Sequence, residues 1–117
     1  MNSDSGIRTD LVDAHLWVVS TPGEWDLADV DRIKAAFDAV FDQGSTLVAD
    51  LSDTTFIDSA VIGLLVATQQ RAAERDADRF AVVAPPGGRP RRILDMTAGN
   101  ALLVFDDLPS ALEYHRQ

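Results

Sequence analysis

The 117-residue chain contains no cysteine. Disulfides, a thiolate nucleophile and a Cys-ligated metal are therefore excluded, and the composition suits a reducing compartment. Long apolar runs are missing too: none approaches the ~20 residues that span a bilayer. The opening MNSDSGIRTD is polar and lacks the basic-then-apolar form of a signal peptide. A cytoplasmic protein with no membrane contact is expected. Positive charge is scarce, 10 Lys and Arg against 19 Asp and Glu, for a net −9. Such a surface repels phosphate backbones, so nucleic acid is not an expected partner, whereas a protein carrying a basic patch is favoured. Histidine is limited to His15 and His115. Without Cys, and without His-x-x-His spacing, no metal site is expected. No Ser/His/Asp or paired-carboxylate arrangement suggests catalysis, so neither an enzymatic activity nor a cofactor is expected.

What is present is an alternation of strand and helix patterns. Residues 1–6 read as a tail and 7–117 as one domain. Ile7, Thr9 and Leu11 alternate with polar residues, as in a half-buried strand. HLWVVS (15–20) reads as an interior strand with Trp17 in the core, and the two strands as a hairpin. Pro22 and Gly23 of TPGEWD (21–26) break the chain. Asp26 can cap a helix whose first turn carries Asp29. Val30, Ile33, Phe37, Val40 and Phe41 then recur at helical spacing, and Gly44 closes the helix. TLVADL (46–51) is a buried strand, SDTTFIDS (52–59) a loop, and a helix runs from Ala60 to about residue 75 with Ile62, Leu65, Val66 and Gln69 on one side. FAVVA (80–84) is a strand, PPGGRPRR (85–92) a loop and RILDM a short helix. ALLVF (101–105) is a last strand, and Pro109 sits in the first turn of a final helix. The order predicts an α/β domain: a mixed, mostly parallel sheet of four to five strands with helices packed on it.

In FIDSAVIGLL (56–65), an acid and a hydroxyl interrupt an apolar run. Buried polar groups cost free energy unless paired. At a strand-to-helix turn the cost disappears, because Asp58 can accept from the unpaired N–H groups of the first helical turn. Ser59 then opens the helix, half exposed, where the helix dipole tolerates an added anion such as phosphate. In open α/β sheets function gathers beyond the carboxyl ends of the strands, which is where this pair falls. Trp25 reads as a roof over the core that also borders this region. PPGGRPRR carries Arg89, Arg91 and Arg92, but it lacks the spacing of a phosphate-binding loop and reads as a solvated connector.

LVADLSDTTFIDSAVIGLL resembles the central motif of the STAS domain: a strand ending in Asp-Leu-Ser, a short loop, then Asp-Ser opening a helix. GEWD (23–26) is similar to that family's Gly-Glu-Leu-Asp, and the tail LVFDD…ALEYHR is similar as well. The resemblance spans about residues 7–116. It implies a STAS-like fold and an anti-sigma factor antagonist, which binds an anti-sigma factor that is also a serine kinase and so frees a sigma factor. Phosphorylation of the Ser of Asp-Ser ends the contact, and a phosphatase resets it. Carried over by position, the phosphorylation site is Ser59. The resemblance places Asp58, Asp26 and Asp53, Thr54 and Thr55 near it on the partner-facing surface; the expected partner-binding face, taken from loops 21–26 and 52–59 and the helix start, comprises these with Trp25, Ser59, Ala60 and Ile62, on a monomer or weak homodimer. After Asp-Ser the family usually has a second Ser or Thr and then Gly, where this chain has Ala60 and Val61. That departure suits an alternative, a STAS subunit of a stress-signalling scaffold or a lipid transporter whose Ser is not phosphorylated. A second alternative is a receiver-like domain accepting phosphate on Asp50 or Asp53, although the acidic pair and the Lys that receivers need are missing.

Overall fold

Valine-rich and leucine-rich runs build the sheet, and their order along the chain decides where the helices lie. The computed structural model describes residues 6–75 and 79–116, so the expected tail, Gly6 apart, lies outside the described residues. Strands β1 (Arg8–Asp13), β2 (Leu16–Ser20), β4 (Thr46–Asp50), β6 (Phe80–Val83) and β7 (Val104–Phe105) form one sheet in the order β1-β2-β4-β6-β7. The first pair is antiparallel and the others parallel. Between them run β3 (Gly23–Trp25), α1 (Val30–Phe41), β5 (Thr54–Ile57), α2 (Ser59–Arg75) and α3 (Arg89–Thr97), with α4 (Leu108–Arg116) last.

From β2 to β7 the parallel strands are added in one direction. Right-handed crossovers then place α1, α2 and α3 on the same face. Ile33, Phe37 and Val40 of α1, Val61, Ile62 and Leu65 of α2 and Leu94 of α3 pack there with Leu47, Ala49, Phe80 and Val82. The opposite face is left to α4, whose Ala111 meets Leu16, Val18, Val48 and Val83. Gly44 ends α1 at φ +74°, with its N–H on the Phe41 carbonyl, as expected of that position.

Five expectations need correction, the first being that the strand read over 101–105 is only Val104–Phe105, preceded by a 3-10 turn over Gly99–Ala101. In β1 the half-buried residue is Val12, not Thr9 or Leu11; a bulge between Leu11 and Asp13 shifts the alternation, and Leu11 is 55% exposed. Trp17 is only half-buried beside the core. The segments read as a break (21–26) and a loop (52–59) contain β3 and β5, which pair in parallel as a separate two-stranded sheet. The connector reading of 85–92 fails from Arg89 onward, where α3 begins. Arg91 is structural: it donates to the Ala84 carbonyl at 2.7 Å and pairs with Asp106 at 2.9 Å.

β7 is too short to satisfy the whole edge of β6, and a side chain of α2 completes it. Gln69 Nε2 donates to the Phe80 carbonyl at 3.1 Å, and its Oε1 accepts from Leu103 N–H at 3.0 Å. The side-chain amide thus stands in for a missing rung between β6 and the chain entering β7. Replacing Gln69 by Leu keeps the volume and strands two part-buried backbone groups. We expect a loss of about 2 kcal/mol in urea unfolding at an unchanged denaturant slope.

Candidate functional site

Asp58 and Ser59 lie where β5 turns into α2, beyond the carboxyl ends of the strands. Asp58 is the cap: its Oδ1 accepts from Val61 N–H at 3.0 Å, and its carbonyl accepts from Ile62 N–H at 3.1 Å. Its second oxygen, Oδ2, accepts from Leu27 N–H at 2.9 Å, 31 residues away. One carboxylate therefore closes the N-terminus of α2 and holds the turn that leads into α1. Ser59 is the first residue of α2 and is exposed.

The Leu27 turn is a short 3-10 segment (27–29) capped reciprocally. Asp26 Oδ1 accepts from Ala28 N–H at 3.0 Å, and Asp29 Oδ2 accepts from Asp26 N–H at 2.9 Å. This is the capping-box arrangement with aspartate in both roles. Asp26 is thus a cap as expected, but of the 3-10 turn, while α1 itself starts at Val30. The Asp26 N–H, together with Arg32 paired to it, holds the Asp29 carboxyl below the usual carboxylate range.

The two segments are brought together by the β3–β5 pair. Gly23 takes φ +94°, a conformation suited to glycine, and its N–H donates to the Asp53 carbonyl at 3.0 Å. Below, the hydroxyls of Thr21 and Thr54 meet at 3.2 Å, and the Thr54 hydroxyl also donates to the Thr21 carbonyl.

Of the expected partner face, Asp26, Asp53, Thr55 and Ser59 are exposed, and Asp58 and Ala60 are partly so. Three residues lie underneath instead. Trp25 is 4% exposed, its indole N–H donating to the Pro22 carbonyl at 2.9 Å and its ring lying under Arg32. Thr54 and Ile62, 6% and 8% exposed, are likewise interior. Val61 is also buried, so the side chain that replaces the family's glycine points away from Ser59's surface. One exposed neighbour that the sequence does not single out is Leu27, which is 70% exposed.

The acids considered as phosphoacceptors are Asp50 and Asp53, the latter also exposed on the expected partner face. Asp50 and Asp53 border a shallow cleft of about 270 Å³ with Arg8 and Asp10, and Asp50 accepts from both the N–H and the hydroxyl of Ser52. Among the described residues no group of three or more His, Asp or Glu could hold a metal ion, and no helix is long and apolar enough to cross a membrane.

A family model described as the Mlab STAS domain matches residues 10–104. Among solved structures, an anti-sigma factor antagonist from Mycobacterium paratuberculosis is 28% identical, with 100% of both chains covered and a TM-score of 0.77. The anti-sigma factor antagonist SpoIIAA in its unphosphorylated form is 23% identical over 94% of this chain and 97% of its own, at a TM-score of 0.69. A Thermotoga maritima protein described as a candidate anti-sigma factor antagonist is 23% identical over 95% of each chain, at a TM-score of 0.80. The last two likenesses bear on the fold alone. No match is found among curated proteins.

Asp29→Ala removes half of the capping box and is expected to cost about 1 kcal/mol near neutral pH. Because the folded-state pKa of Asp29 is lowered, its contribution is present above the unfolded value of about 3.9 and is lost as pH falls through the folded value. The stability gap between wild type and variant, followed by urea unfolding at stepped pH, should narrow below about pH 4.

Proposed function

The chain belongs to the STAS family, and from that premise we propose that it is an anti-sigma factor antagonist: it docks on an anti-sigma factor that is also a serine kinase, and phosphorylation of Ser59 ends the contact. The observation that carries this reading is the exposed position of Ser59 at the start of a 17-residue helix, beside a cap residue that joins it to the Asp26 turn. The likeness to the Mycobacterium antagonist over the full chain supports it.

The chemistry is that of a charge switch. A phosphoserine carries about −1.5 to −2 charge at neutral pH. On a chain of net −9 it adds to the charge of Asp58 and Asp26. A partner patch packed around a neutral hydroxyl then loses affinity, tenfold for each ~1.4 kcal/mol, and the fold need not move. The mouth of α2 stabilises the same anion locally, so the modified state stays folded. Burial of Val61 supports kinase access, because the valine adds no bulk beside Ser59. The contact patch would be Asp26, Asp53, Thr55, Asp58, Ser59 and Ala60, with Trp25, Thr54 and Ile62 as its foundation. A phosphatase would reset the chain.

A second reading is favoured by Ala60 and by the match to a family model described as the Mlab STAS domain. In it the chain is a subunit of a stress-signalling scaffold or lipid transporter, bound without modification of Ser59.

The two readings separate on incubation with purified anti-sigma factor serine kinases from the source genome and ATP. We expect one phosphate on Ser59 by mass spectrometry. Ser59→Ala should bind those kinases like wild type, and Ser59→Asp at least about tenfold more weakly. Kinases that neither bind nor modify the chain would transfer the assignment to the second reading.

A further inference from the structure

Leu27 is 70% exposed, yet three of the backbone N–H groups of the turn that carries it are held by carboxylates. Its own N–H is held by Asp58 Oδ2 at 2.9 Å, that of Ala28 by Asp26 Oδ1 at 3.0 Å, and that of Asp26 by Asp29 Oδ2 at 2.9 Å. Asp29 also pairs with Arg32, whose guanidinium lies 5.2 Å from the centroid of the buried Trp25 ring. A leucine on a loose loop would lose backbone freedom when a partner covers it. Here that ordering is complete before any partner arrives, which is the condition for an efficient anchor. The other large exposed apolar side chains among the described residues, Leu11, Met96 and Tyr114, sit on β1, α3 and α4. Leu27 is the one whose backbone is gripped by the residue preceding Ser59.

Resting on the proposed function, we propose that Leu27 is the apolar anchor of the contact, and that Asp58 is the positioning residue that aims it. The occupant it fits is an apolar pocket on the anti-sigma factor with Lys or Arg on its rim. The rim follows from charge: Glu24, Asp26 and Asp31, all exposed, flank the leucine in sequence on a chain of net −9. An apolar centre with a charged surround is the usual anatomy of a specific interface. Phosphate on Ser59 then acts twice. It repels the acidic side of the patch, and it competes with Asp58 for the first-turn N–H groups of α2 while repelling that carboxylate. The grip on Leu27 N–H weakens as a result.

The test is a double-mutant cycle read by calorimetric titration against the purified anti-sigma factor serine kinases. It uses Leu27→Ala, Asp58→Ser, the double variant, and Ser59→Asp as an independent control. Serine retains the cap on α2 but is too short to serve Leu27 as well. Leu27→Ala should leave the thermal midpoint unchanged and weaken binding about tenfold; in the Asp58→Ser background it should cost less than about twofold. Hydrogen exchange at the Leu27 amide of free Asp58→Ser should speed up about tenfold or more. Leu27→Ala binding within about twofold of wild type, while Ser59→Asp still weakens it, overturns the anchor and leaves the proposed function standing. An equal cost in both backgrounds, or unchanged amide protection, overturns the positioning role of Asp58. Kinases that do not bind wild type at all defeat the proposed function, and the anchor with it.

Discussion

The Asp58 carboxylate has two oxygens and spends both on backbone N–H groups from distant parts of the chain. One belongs to the first turn of α2, the other to the turn that precedes α1. Each would otherwise be an unpaired donor at a helix end. The acid is half-buried beside the core, and the two bonds offset the cost of placing charge there. The candidate site follows from this arrangement. It puts Ser59 at the rim of a helix mouth, and it makes the Asp26 turn a neighbour of that rim.

Behind that carboxylate stands the β3–β5 pair, seven residues in all, which holds in register the two segments that Asp58 bridges. The pair is supported in turn by the buried Thr21 and Thr54 hydroxyls and by Trp25. The large parallel sheet contributes direction. Because its crossovers all fall on one face, the loops at its carboxyl ends converge there, and the site is assembled from the two that precede α1 and α2.

Much of this could be read from residue order. The spacing of Ile33, Phe37 and Val40 marked α1, the apolar runs at 46–50 and 80–83 marked interior strands, and Asp58 read as a cap on chemistry alone. What could not be read shares one cause: it depends on pairing across the chain. β3 and β5 are three and four residues long, too short for a period-two pattern to register, even though the Thr, Phe and Ile of β5 favour strands. The Asp58–Leu27 bond joins positions 31 apart. Nothing in the sequence marks Leu27 as a surface residue; it lies in the 3-10 turn before α1 and is exposed. The bulge in β1 moved the inward position from Leu11 to Val12, and a period-two pattern has no means of anticipating an inserted residue. Gln69 was placed on one side of α2 with Ile62, Leu65 and Val66, but its work as a rung of the sheet required knowing how short β7 is.

The brevity of β7 has a consequence for how this molecule meets others. A sheet margin recruits foreign strands when it offers a long, flat row of free backbone groups. Here one margin is two residues long and the other, β1, is bulged and carries Arg8, Asp10 and Asp13. Neither margin offers the long, flat, apolar edge that strand addition and stacking need.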